Sequence, residues 1–163
     1  MPSDGQRAAA ERGTLIHHLL ERLAPVEPRA RHSAALRWLE RSAGLTDDAA
    51  RKEIADTVCD VLSDPRFSVL FGKGSLAEAP LAATLPDGIV VAGTVDRLLV
   101  EPHRISVIDF KTGRVPPSEA AIPASHQAQM RAYTRALEVI FPGREIRAAL
   151  LYTSGPQLFE LHS

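Results

Sequence analysis

Two short segments carry residues that could do chemistry together: Gly93-Thr94-Val95-Asp96-Arg97 and Val107-Ile108-Asp109-Phe110-Lys111-Thr112-Gly113. Each lies in a run rich in apolar and β-branched residues, 89–100 and 104–112, with Glu101-Pro102-His103-Arg104 between them. Such runs read as strands, and proline suits the second position of a tight turn. A turn centred on Pro102 and His103 sets Asp96 opposite Asp109. Carboxylates so opposed have Cβ atoms roughly 4.5–5.5 Å apart and repel. A divalent cation relieves that repulsion, and Mg²⁺ takes hard oxygen ligands, usually one or two protein carboxylates plus waters. Lys111 projects to the same side as Asp109, two residues along the strand. Asp109 and Lys111 alone would suit an ordinary strand-end ion pair. A second acid in register, inside two apolar strands, favours a metal site, because nearly buried charges need partners or a metal.

The elements that position these residues follow from periodicity and breakers. Residues 1–6 read as a loose leader. Helices are expected at about 7–23, 30–43 and 47–63, interrupted by Pro25 and Pro28 and stopped near Asp64-Pro65. Strands are expected at about 75–84, 89–100 and 104–112, then a helix at about 125–141 stopped by Pro142-Gly143. Strands at about 145–153 and 157–162 complete the chain. On the helix 125–141, Met130, Tyr133, Ala136, Leu137 and Ile140 make a buried stripe, and Gln129 falls inside it one turn before Tyr133. A glutamine there either bonds nearby backbone or reaches a polar pocket; Gln127 lies farther around the helix. His17 sits at the edge of the first helix's apolar stripe, as a structural residue or a ligand, and His18 faces solvent. Glu78 reads as a strand-surface charge or a carboxylate supporting the metal ligands, and Asp64 and His126 are weaker candidates. Residues 113–124, directly after Lys111, form the longest irregular connection, either a gate or a simple crossover.

Taken together, Gly13-Thr14-Leu15-Ile16-His17, G-x-V-D-R (93–97), V-I-D-F-K-T-G (107–113) and Gln129-x-x-x-Tyr133 resemble the RecB-type branch of the PD-(D/E)xK nucleases. Within it they look most like the C-terminal nuclease domains of AddA-type helicase–nucleases, and the likeness runs from about residue 13 to residue 153. The resemblance implies an α/β (α+β), restriction-endonuclease-like core: a mixed central sheet flanked by helices, with a helical N-terminal extension. It implies a single nuclease domain over 1–163, mainly helical over 1–65 and catalytic over 75–153, cut from a larger helicase–nuclease. It implies Mg²⁺ (Mn²⁺ substituting) held by Asp96, Asp109, the Phe110 carbonyl and His17, with Lys111, Gln129 and Tyr133 joining the aspartates in catalysis. Arg97, Arg114, Gln129 and Tyr133 would contact DNA. The implied activity is exonuclease-type hydrolysis of single-stranded DNA during recombinational double-strand-break repair. Its implied partners are DNA, a helicase portion of the same polypeptide and an AddB-like subunit. Competing expectations are a non-catalytic DNA-guiding module of this fold, a stand-alone phage or CRISPR-type exonuclease, and a structural domain whose acids only form salt bridges.

Composition bounds these expectations. The 163 residues suffice for one domain with a real core. A net charge of −1 does not advertise a basic nucleic-acid footprint, which suits a domain that receives its strand from an attached motor. Arg97, Lys111, Arg114, Arg131 and Arg135 offer a local basic path. Cys59 is the single cysteine, so the chain holds no internal disulfide and cannot supply the four thiolates of an iron–sulfur cluster; it is expected to be buried. No G-x-x-x-x-G-K-[ST] loop occurs, so no nucleotide is expected to bind here. No apolar stretch approaches a membrane span and the N-terminus is charged, so the expected location is cytoplasmic.

Overall fold

The computed structural model describes residues 1–162. The Ser3 hydroxyl accepts from the Gln6 N–H at 3.2 Å, and the Gln6 side chain accepts from the Ser3 N–H at 2.7 Å. This capping box opens helix α1 (Asp4–Leu23). The expected loose leader is therefore a capped, exposed helical turn, which carries no apolar stripe to announce it. Helix α2 (Pro28–Arg41) begins with proline in its first turn, where a missing N–H costs nothing. Helix α3 (Asp48–Ser63) is capped by Asp47, whose carboxylate accepts from the Ala49 N–H. Asp64 then caps a 3₁₀ segment (Pro65–Phe71) that no apolar period announces.

The strands are β1 (Ser75–Thr84), β2 (Val90–Val100), β3 (Arg104–Lys111), β4 (Glu145–Tyr152) and β5 (Gln157–Leu161), and helix α4 (Ala124–Ile140) lies between β3 and β4. They form one sheet in the order β1-β2-β3-β4-β5. The β3–β4 pair is parallel and the other pairs are antiparallel. A parallel pair needs a long crossover, which α4 supplies. Pro80 sits on edge strand β1, where its missing donor is tolerated.

Each face of the sheet buries its own core. Ile16, Leu20, Leu39 and Val58 of α1–α3 pack on Ile108, Phe110 and Leu151. Met130, Tyr133, Ala136 and Leu137 of α4 pack on Ile105, Val107 and Leu150. Strand β3 is thus apolar on both faces, as a covered parallel strand must be. Two expectations need correction. Ile140, the last residue of α4, is 40% exposed and outside the stripe. Cys59 is half-buried, on the flank of α3 beside buried Val58. Residues 113–124 are pinned by Val115 and by Ile122, 3% exposed, so they form an anchored crossover containing a 3₁₀ turn (Glu119–Ala121). Among the described residues, no helix is long and apolar enough to cross a membrane.

Candidate active site

The β2–β3 ladder runs from Val100–Ile105 to Arg97–Ile108, the register expected from a turn at Pro102 and His103. It stops one residue short of the two aspartates. There the Asp96 carboxylate accepts the Phe110 N–H at 2.7 Å, replacing a ladder bond with a charge-assisted one. The β1–β2 ladder is also interrupted here. Ala77–Arg97 and Ala79–Val95 pair, Glu78 and Asp96 between them do not, and Glu78 has φ of 48°. A left-handed non-glycine residue inside a strand is an outlier. The interruption breaks the alternation of β2, because Val95 and Leu98 both face the α4 core while Leu99 faces the helical layer.

Two motif glycines bring the helices to the sheet. A Cβ on Gly13 would lie 2.7 Å from Thr112 Oγ1, so a larger residue would have to push that hydroxyl aside where α1 meets the end of β3. A Cβ on Gly93 would lie 2.9 Å from the Tyr133 hydroxyl, so α4 docks on β2 through that glycine. Arg12 of α1 donates to the Thr112 carbonyl at 3.2 Å, as does the Ser154 hydroxyl, fixing the point where β3 leaves the sheet.

Asp109, 8% exposed, accepts from Lys111 Nζ at 2.7 Å. Lys111 Nζ also donates to Gln129 Oε1 at 3.3 Å. His17 Nδ1 lies 2.9 Å from the Gly13 carbonyl, to which it can only donate, and Nε2 lies 3.4 Å from Asp96 Oδ2. Burial, then the Asp96 carboxylate, pushes Asp109 up to about 6 despite Lys111. Burial opposes a charged His17, but the Asp96 carboxylate outweighs it and raises the imidazole to about 9. Asp96 is buried too, yet His17 and a hydrogen bond from Asp109 hold it below the usual carboxylate range. Two carboxyls at one site thus titrate apart, Asp96 below the usual carboxylate range and Asp109 above it. These groups open onto a cleft of about 630 Å³ lined by His17, Asp96, Asp109, Lys111, Arg114 and Gln129.

Several expectations shift in the folded chain. Gln129 is exposed beside the buried stripe of α4, not inside it, and reaches the cleft; Gln127 instead donates to the Ile122 carbonyl. Tyr133 is 8% exposed beneath Gly93, which leaves no ring face for a base to stack on. Arg97 is 5% exposed, with its guanidinium 5.1 Å over Phe71 and Nε unpartnered, so it presents nothing to a phosphate. Phe71 stacks on Phe110, which packs against His17, so Arg97 supports the site from behind. Arg131 and Arg135 line a separate cavity, and Arg135 pairs with Asp87, so the five basic residues form no continuous path. Arg114 is exposed on the cleft. His18 is exposed as expected, edge-on to Trp38, and Asp64 pairs with Arg66. Glu78 shares a neighbouring cavity with His17 and Asp96, and burial, then Asp96, raises its carboxyl. Among the described residues, no three His, Cys, Asp or Glu side chains converge as a ready metal shell. Lys111 holds Asp109 and the Phe110 N–H holds Asp96, so a cation would complete the set rather than enter a finished cage. Tyr152 also lines the cleft, and no motif pointed to it.

Residues 2–160 match the family profile described as the PD-(D/E)XK nuclease superfamily. Curated relatives include an ATP-dependent helicase/nuclease subunit of Moorella thermoacetica, 31% identical, with 88% of this chain and 11% of that protein covered. The protein of the same name from Listeria monocytogenes serotype 4a is 24% identical, with 89% and 13% covered. This chain therefore spans a small part of the length of the curated relatives it matches. Among solved structures, "Crystal structure of SSO0001" aligns with 93% of this chain and 77% of that chain, at 20% identity and a TM-score of 0.44.

Proposed function

Because this chain belongs to the PD-(D/E)XK nuclease superfamily, we propose that it hydrolyses DNA phosphodiester bonds with Mg²⁺, acting on single strands as an exonuclease-type domain. The observation that carries this reading is the Asp96–Asp109 pair at the end of β3, with Lys111 bonded to Asp109 and His17 beside Asp96. The donor set fits a hard cation: two carboxylates and the Phe110 carbonyl, with His17 Nε2, which faces Asp96, able to join them only by giving up its proton, since Nδ1 is committed to Gly13. When bound, Mg²⁺ lowers the pKa of a coordinated water and offsets charge on the phosphoryl oxygens.

The chain's own residues supply the rest. Asp96 is anchored by the Phe110 N–H, so its carboxylate is preorganised. Lys111, held between Asp109 and Gln129, orients the attacking water or offsets charge on the scissile phosphate. Gln129 fixes the Lys111 ammonium, Tyr133 sets α4 against β2, and exposed Arg114 meets the DNA backbone. Residues 1–163 act as a single nuclease domain, helical over 1–65 and catalytic over 75–153. The helicase/nuclease naming of the relatives supports a longer polypeptide with a helicase portion; we further propose that it works with an AddB-like subunit in recombinational double-strand-break repair in the cytoplasm.

End-labelled single- and double-stranded DNA, incubated with Mg²⁺ or Mn²⁺ and with EDTA, tests the proposal. Metal-dependent cutting of the single strand, shortened stepwise from one end, is expected. A single strand left intact while the duplex is cut would contradict the strand preference, and no metal-dependent cutting of either would contradict the activity.

A further inference from the structure

Asp96, Asp109 and Lys111 account for one part of the cleft wall, while His126 and Tyr152 form another part without a role. His126 lies in the first turn of α4, three residues before Gln129 and seven before Tyr133, a spacing that shares one helix side. Its Nδ1 is 3.2 Å from Tyr152 Oη. Tyr152 is 1% exposed, set edge-on to Phe159, and sits across the parallel ladder from Lys111.

The hydrogen bond fixes which nitrogen carries the proton. Burial, then the Lys111 ammonium, holds His126 below its ordinary range, so the ring is neutral at pH 7. Burial, then Asp109, raises the Tyr152 phenol, which keeps its proton. Among the described residues, Tyr152 Oη has no other hydrogen-bond partner. Donation from Nδ1 would leave that nearly buried hydroxyl proton unpaired, which is costly. Tyr152 therefore donates to Nδ1, and the imidazole proton resides on Nε2. The cleft lining then includes an N–H donor together with Lys111 and Arg114, a combination suited to an anion.

We propose that His126, held in one tautomer by Tyr152, is a substrate-positioning residue that donates from Nε2 to a phosphate oxygen of the bound DNA strand. The inference rests on the nuclease reading. Such a contact exists before and during bond cleavage alike, so it lowers KM and Kd without raising kcat.

The test combines binding of a fluorescent single-stranded oligodeoxynucleotide in EDTA with cleavage kinetics in Mn²⁺. His126→Ala should weaken binding and raise KM about tenfold, the worth of a hydrogen bond to a charged group, with kcat near the parent's and Tm lowered because Tyr152 Oη loses its partner. His126→Gln, whose amide nitrogen reaches the place of Nε2, should recover most of the loss. Tyr152→Phe should lose about threefold, since the ring remains but its tautomer is free. Unchanged Kd and KM in His126→Ala would overturn the proposal, as would equal impairment of the Ala and Gln variants or a loss confined to kcat. If the parent chain neither binds nor cuts DNA, the nuclease reading itself fails. If the parent does both and His126→Ala matches it, only His126's role fails.

Discussion

The two ends of β3 both carry charge, and they differ in what surrounds it. At the N-terminal end Glu145 accepts from Arg104 at 3.2 Å and from Arg147 at 2.9 Å, with all three side chains 38–52% exposed. At the C-terminal end Lys111 meets Asp109 at 2.7 Å with 18% and 11% exposure, and His17 meets Asp96 at 3.4 Å with 29% and 12%. Solvent and salt screen the first cluster, and such pairs add little. The second is close to buried and unevenly matched, so one carboxyl is pushed up while its neighbour stays ionised. Charge at a strand end is therefore no sign of chemistry. Burial that leaves two acids competing is the sign, because it creates a demand that a cation meets.

The largest separation between the ends should come from Asp109→Ala, which removes a proposed metal ligand and should lower cleavage about a thousandfold or more. Lys111→Ala should lower it about a hundredfold while Mn²⁺ still binds. An unchanged rate in either variant would erase the distinction between the ends.

Stability should move in the opposite direction. Asp109 has a folded-state pKa of about 6, above its ordinary value. Its favourable contribution is full below pH ~4 and is lost as pH rises through ~6, because the folded state must then ionise a nearly buried group. Relative to Asp109→Asn, the metal-free parent should lose stability across that range, by about 1–2 kcal/mol at pH 7. His17, raised to about 9, contributes stability that is full below its unfolded value and fades as pH rises through 9. Thermal melts of the parent and Asp109→Asn in EDTA from pH 4 to 9.5 check both, and a parent-minus-variant difference that rises from pH 4 to 7 would contradict the Asp109 assignment.

Smaller effects sharpen the boundary. Gln129→Ala should slow cleavage about tenfold with Tm unchanged, since Gln129 is exposed and touches Lys111. A large fall in Tm would instead mark it as structural. Gly93→Ala should cost about 1–3 kcal/mol, because its methyl would meet Tyr133. Glu145→Gln at the far end should leave cleavage within about twofold.

Much of this site was legible in the chain, for local reasons. Pro102 and His103 turn the hairpin, which set the β2–β3 register and brought Asp96 level with Asp109. Where local rules failed, a tertiary feature intervened. Alternation along β2 puts Val95, Arg97 and Leu99 on one face, but the interruption at Glu78 and Asp96 sends Arg97 beneath Phe71. Nothing in the residue types reveals a positive φ at a glutamate. Helical period placed Gln129 inside the buried stripe, whereas the docking of α4 on Gly93 leaves it exposed at the cleft edge. Nothing marks Tyr152 out within the expected strand at 145–153, because its hydroxyl partner comes from a helix distant in sequence.

The most direct test of the central claim is a calorimetric titration of Mn²⁺ into the parent chain, Asp109→Asn and Glu145→Gln. Saturable binding at millimolar metal or below is expected in the parent and in Glu145→Gln, with its loss in Asp109→Asn. Equal binding by all three proteins, or none by the parent at millimolar Mn²⁺, would contradict a cation site built on the two aspartates.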